Sequence, residues 1–287
     1  MPTAIAQNLL DLGLREGDTV LVRAAAKAVV RAPGSPATAL IDALLEVVGE
    51  QGTIAALAFT DDYYKWHKGR AAQKPFRADL RTNTGGFAQA MLDRPNAHRS
   101  THPSNSFVAI GANAGALLAE HDHTATSFHP MKALIRLGGK MILVGCVQSS
   151  PGFSTVHLAQ ESLGLATRTL MKGMRGAYFE AEDGSLRWFS RNDVSGCSAG
   201  FSKLYKNYVE RGLLSTGWVG GAYSILVSAE KAYELEHAML KANPSSALCD
   251  DPYCSSCGLR TYLPYRMAGF ILRLPIKLAR RKYRKAA

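Results

Sequence analysis

The segment STVHLAQE, residues 154–161, places two hydroxyl side chains, Ser154 and Thr155, within three residues of an imidazole, His157. A histidine, with an unperturbed pKa of about 6.5, can take a proton from a substrate at neutral pH, which is general base chemistry. The same residue inside a packed helix would be structural, and spacing alone leaves both readings open. A second polar block, RSTHPSNS at residues 99–106, gathers Arg99, Ser100, His102 and Ser106. A third, CDDPYCSSC, spaces Cys249, Cys254 and Cys257 as C-x4-C-x2-C. Thiolates so spaced point to zinc, whose tetrahedral site needs a fourth ligand, and Cys197 of SGCSAGF is the candidate. A closed four-thiolate site would be structural; incidental surface thiols and a redox pair are the other readings. Cys146, at the end of an apolar run, reads as buried packing rather than as a nucleophile.

These residues need elements that position them. Residues 4–13 carry apolar groups at helical spacing, DTVLVRA reads as a strand, and PATALIDALLEVVG is an apolar-faced helix with Ser35 as candidate N-cap and Gly49 as its stop. GTIAALAF is apolar nearly throughout, as in a strand buried on both faces. SFVAIG and KMILVGC are further strands, and the second runs into the loop before His157. Loops that follow buried strands are where open α/β sheets bind ligands. Residues 60–83 are polar, aromatic and irregular, a loop long enough to be functional. RGAYFEAEDGSLRWFSR forms two alternating runs around Asp183-Gly184, a hairpin, and helices follow near 200–211 and at 229–242. The alternation predicts helices packed on a sheet. No glycine-rich phosphate loop of the Walker or dinucleotide type is present. Residues 1–247 are expected to form one catalytic domain, and 248–287 a Cys-rich, basic amphipathic extension.

Hydrophobic residues make up 47% and charged residues 20%, which excludes a disordered chain. No apolar run approaches the roughly 18 residues that span a bilayer, and the N-terminus lacks the pattern of a signal peptide. A cytoplasmic location with reduced thiols is therefore expected. The net charge is +11, but nine Lys/Arg and no Asp or Glu lie from Arg260 onward, so the body is close to neutral. Binding of nucleic acid over the folded surface is not expected from that distribution. The tail YLPYRMAGFILRLPIKLARRKYRKAA interleaves apolar and basic residues, with Pro275 expected to interrupt any continuous helix. Such a segment suits peripheral contact with the anionic inner face of a membrane, or docking on the same or another subunit.

In order along the chain, LGLREGDTVLV, ATALIDALLEVVGEQGTI, RPNAHRSTHPSNSFVAIGANA and KMILVGC followed by STVHLA resemble the aminoglycoside 3-N-acetyltransferase (antibiotic N-acetyltransferase) family. The resemblance runs from about residue 7 to residue 242. It implies a mixed central sheet with flanking helices, and transfer of an acetyl group from acetyl-CoA to the amine of an amino sugar without a catalytic metal. His157 matches the family's catalytic histidine, and Ser154 stands where the family usually has threonine, as a hydroxyl donor to the oxyanion. The family's usual glutamate three residues after the histidine is Gln160 here, able to orient the imidazole but not to stabilise its charged form. Glu161 lies one residue further, turned about 100° around the helix. Asp61 or Asp62 is then a candidate to supply the acid and to contact substrate. Lys27, Ser35, Arg99, Ser100, His102 and Ser106 are candidate coenzyme contacts, although Arg23-Ala24-Ala25 replaces a His-Ser-Ser stretch and Lys27 reads equally as an exposed lysine. Three aspartates against six basic residues in the 60–83 loop favour an anionic acceptor. A nucleotide- or lipid-linked amino-sugar precursor is therefore expected. An aminoglycoside antibiotic, or a catalytically weak zinc-containing adaptor, is the alternative.

Overall fold

The computed structural model describes residues 3–29, 36–194 and 197–286, with side chains as far as residue 278. Ten strands occur in chain order: β1 Thr19–Ala24, β2 Thr53–Leu57, β3 Tyr63–Tyr64, β4 His98–Arg99, β5 Phe107–Gly111, β6 Lys140–Val144, β7 Arg175–Glu180, β8 Leu186–Ser190, β9 Ser215–Val219 and β10 Ala222–Ser228. Seven build one sheet in the order β4-β5-β2-β1-β6-β10-β9. Its centre, β2-β1-β6, is parallel, and the strands outside it pair antiparallel. The mixed α/β architecture expected from the resemblance is therefore observed. A smaller antiparallel sheet, β3-β7-β8, contains the expected hairpin around Asp183-Gly184.

The near-continuous apolar character of the central strands follows from burial on both faces. Leu21 and Leu143 pack into one apolar cluster with the helices Thr155–Ser162 and Ala229–Ala242, while Val20, Val22 and Ile142 pack into another with Ala4–Leu12 and Pro36–Val48. The helix Ala4–Leu12 begins with Thr3 accepting the Ala6 N–H and ends at Gly13 in the left-handed region, a standard pairing of cap types. Ser35 lies outside the described residues, so neither its capping role nor a coenzyme contact is placed.

Two expectations are corrected. The 60–83 segment is not wholly irregular: it contains β3 and the short helix Lys68–Ala72. Pro275 does not interrupt the tail, which forms one helix, Pro264–Ala286. Its cost is the missing N–H of a single turn, which an exposed helix tolerates because water can satisfy the freed carbonyl. Among the described residues no helix is long and apolar enough to cross a membrane.

Candidate active site

A cleft of about 330 Å³ opens where the parallel strands end. Val22, Arg23 and Ala24 of β1, Ala56 and Leu57 of β2, and Cys146 just after β6 form its floor. Ser154 and His157, at the start of the helix Thr155–Ser162, face it from one side, and Phe128 and Ser198 complete that wall. The loop that carries the chain from β6 to this helix is fixed by Arg23. Its guanidinium donates to the carbonyls of Gly152 at 2.7 Å and Ser150 at 2.8 Å. Burial holds that guanidinium below its usual pKa, opposed by Cys146 and Tyr205. Gly152 has φ of +74°, and a Cβ there would meet the Cβ of Phe201 at 2.2 Å, so the turn into the helix admits only glycine without rearrangement.

The spacing of three between Ser154, His157 and Gln160 keeps them on one helical face. Gln160 Oε1 lies 3.2 Å from His157 Nδ1, so the amide oxygen accepts from Nδ1–H and leaves Nε2 as the ring's proton acceptor. The ring stacks on Phe128 at 4.3 Å and packs against Phe201 at 4.8 Å. This setting lowers the His157 pKa to about 3: desolvation is the largest cause, the Gln160 hydrogen bond opposes it, and Arg23, Arg191 and Arg260 add to it. The imidazole is therefore held neutral at neutral pH. Glu161 turns away as its position requires, accepting the Phe128 N–H at 3.2 Å, and burial together with Asp193 raises its pKa.

Neither proposed acid stands beside the imidazole. Asp62 forms ion pairs with Arg175 and, at 3.2 Å, with Arg191, and Asp61 accepts from Asn83 at 3.1 Å. Asp61 lines a separate hollow of about 560 Å³ bounded by Tyr63, Pro75 and Arg81. Lys27 is exposed and does not line the cleft.

The 99–106 block is also outside the cleft lining, and most of its polar atoms hold loops together, His102 Nε2 being buried without a hydrogen-bond partner. Arg99 donates to the Ala58 carbonyl at 2.8 Å and to Ser106 Oγ at 3.1 Å, and Ser106 donates to the same carbonyl at 2.6 Å. Ser100 accepts the Phe107 N–H at 2.8 Å. His102 Nδ1 accepts the Asn105 N–H at 3.0 Å, and its ring stacks on His121 at 4.8 Å. Burial, His121 and Arg191 lower the His102 pKa to about 2. Among the cleft residues that sequence reasoning passed over are Arg23, Phe128 and Ser198. Arg23 stood in a stretch noted only for the hydroxyls it lacked, and the two others come from distant segments that only the fold assembles.

The cysteines do converge. The Sγ atoms of Cys197, Cys249, Cys254 and Cys257 all lie within 4.8 Å of one another. Cys146 is buried, as expected, and donates to the Arg23 carbonyl at 3.3 Å.

Residues 21–241 match the family described as aminoglycoside 3-N-acetyltransferase. The chain belongs to the aminoglycoside 3-N-acetyltransferase family. The aminoglycoside N(3)-acetyltransferase VII of Streptomyces paromomycinus is 37% identical over 158 residues, covering 50% of this chain and 54% of the relative. The aminoglycoside N(3)-acetyltransferase III of Serratia marcescens is 30% identical over 255 residues, covering 79% of this chain and 92% of that one. The crystal structure of aminoglycoside acetyltransferase AAC(3)-Xa shares the fold with a TM-score of 0.72 and 26% identity, covering 85% and 93% of the two chains. The expected class, an N-acyltransferase, is that of the family. The names of these relatives favour the aminoglycoside alternative and do not support the expected glycan precursor.

Proposed function

We propose that this member of the aminoglycoside 3-N-acetyltransferase family transfers acetyl from acetyl-CoA to an amino group of an aminoglycoside, with His157 as general base. The observation that carries the reading is the placement of His157 in a cleft at the carboxyl ends of parallel strands, its tautomer set by Gln160. The acceptor nitrogen attacks the thioester carbonyl, the carbon–sulfur bond breaks, and an N-acetyl bond replaces it. The proton lost by nitrogen passes to Nε2 of His157 and from there to the departing thiolate, which restores the neutral ring. Ser154, one turn before His157 in the same cleft wall, is the hydroxyl for the oxyanion. Desolvation keeps the base uncharged, whereas among the described residues no carboxylate pairs with it to hold the imidazolium.

A polycationic acceptor needs negative surface. A separate depression of about 1100 Å³, which shares no lining residue with the His157 cleft, offers it through Asp122, Glu180 and Glu182, while Asp79 and Asp183 there are paired with Arg77 and Arg187. This supports an aminoglycoside despite the basic 60–83 loop. The reading is tested by thiol release from acetyl-CoA, with mass analysis of the product, across aminoglycosides and nucleotide-linked amino sugars. Acetylated aminoglycoside is expected; turnover confined to the nucleotide-linked sugars contradicts the acceptor assignment, and none with either contradicts the reaction.

The tail helix leaves Tyr265, Leu272, Ile276 and Leu278 exposed beside Arg273 and Lys277, which supports peripheral contact with an anionic bilayer. Flotation with anionic vesicles tests this: the full chain should float and a chain ending before Tyr262 should not, and equal binding contradicts it.

A further inference from the structure

Four cysteines from two distant parts of the chain meet at one point beside the cleft. Cys197 precedes the turn Ser198–Leu204, and Cys249, Cys254 and Cys257 come from the segment that follows the helix Ala229–Ala242. Their Sγ atoms lie within 4.8 Å of one another, with Cys197 and Cys257 3.4 Å apart. A tetrahedral tetrathiolate centre with bonds of about 2.3 Å requires sulfur–sulfur separations of about 3.8 Å. A disulfide needs about 2.05 Å and pairs thiols two by two. The cluster matches the first arrangement.

The surroundings point the same way. Arg260 is 1% exposed, and no carboxylate pairs with it among the described residues. Two of its donors reach the carbonyls of Ser256 at 2.8 Å and Leu165 at 3.1 Å, and its Nη2 has no hydrogen-bond partner. A buried guanidinium without a counter-ion is costly. Four thiolates around a divalent cation carry a net charge of about −2 and would supply the missing anion. Arg266, bonded to the Cys249 carbonyl, adds positive charge at the edge, whereas Lys203, bonded to the Leu248 carbonyl, is paired with Asp250 at 2.5 Å.

We propose that Cys197, Cys249, Cys254 and Cys257 hold one structural zinc ion, which fastens the C-terminal segment to the strap that walls the active-site cleft. A closed four-sulfur set suits zinc and leaves no open position for catalysis. The fastened strap carries Ser198, which lines the cleft, and Phe201, which packs on the His157 ring. Its approach to the cysteine segment is close: a Cβ on Gly200 would lie 2.4 Å from the Leu248 carbonyl carbon. On the other side, the Leu259 carbonyl accepts the Leu170 N–H at 3.0 Å. The zinc segment therefore grips the chain on both sides of the hairpin β7-β8 that follows the catalytic helix.

The test uses the full chain, purified with its thiols protected and dialysed against metal-free buffer, and is independent of the acetyl-transfer reading because it counts metal. Elemental analysis should find about one zinc per chain. Cys254→Ser with Cys257→Ser should reduce this at least tenfold, whereas Cys146→Ser should retain it. Cobalt(II) exchanged into the wild-type chain should give the strong visible absorption of a tetrahedral tetrathiolate site. This measurement decides the matter even if the double variant does not fold. Four free thiols without stoichiometric metal, a Cys197–Cys257 disulfide in the native chain, or iron in place of zinc would each overturn the assignment.

Discussion

His157 sits between two opposing influences, a dense aromatic setting that discharges it and a single amide that orients it. Burial among Phe128 and Phe201 keeps the ring neutral, and Gln160 selects the tautomer. Replacing Gln160 by Glu places an anion on Nδ1 and should raise the imidazole pKa by about 1–3 units. The acid limb of kcat/KM should then move to higher pH in Gln160→Glu, while the wild-type chain shows no limb at the pH of about 6.5 where a free imidazole titrates. Superimposable profiles would contradict the assigned contact. His157 and its relation to Gln160 were legible because a helix converts a spacing of three into a shared face. The role of the 99–106 block was not legible, because Arg, Ser and His serve loop carbonyls as readily as ligands, and only the fold shows that Arg99 and Ser106 converge on the Ala58 carbonyl.

At the scale of elements, the central strands, the helices at 36–48 and 229–242 and the hairpin β7-β8 followed from apolar runs, periodicity and an Asp-Gly turn. The 60–83 segment did not, since β3 exists only by pairing Tyr63 and Tyr64 with Gly176 and Arg175 far along the chain. The hairpin also carries an acidic edge, Glu180 and Glu182, beside the large depression. Exposed pairings are worth up to about 1 kcal/mol each. Glu180→Gln with Glu182→Gln should therefore raise the KM for an aminoglycoside by roughly two- to fivefold per charge, leaving the KM for acetyl-CoA unchanged. A parallel rise in both would show a general disturbance, and no rise in either would remove the hairpin from acceptor binding. Behind the helix Thr155–Ser162, Tyr208 donates to the buried carboxyl of Glu236, whose pKa burial pushes up to about 8.

For the molecule as a whole, these buried groups set the pH range of stability. His102, His121 and His157 have folded pKa values of about 2, about 3 and about 3, below the unfolded 6.5. The unfolded chain therefore binds more protons at these sites as pH falls from 6.5, and stability is lost on the acid side. Glu236, and Glu161 in the same direction, hold protons in the folded state above the unfolded value of 4.5. Their contribution is lost as pH rises toward 8. Thermal melts should thus peak near pH 6.5, and Glu236→Gln should flatten the alkaline limb; an alkaline limb unchanged by that substitution would contradict the buried, protonated carboxyl. The most direct test of the whole reading is thiol release from acetyl-CoA in the presence of an aminoglycoside, comparing the wild-type chain with His157→Ala. The account predicts turnover by the wild type and a loss of about 10²-fold or more in the variant, with stabilisation of both by acetyl-CoA. Turnover by His157→Ala within a few-fold of wild type would contradict it.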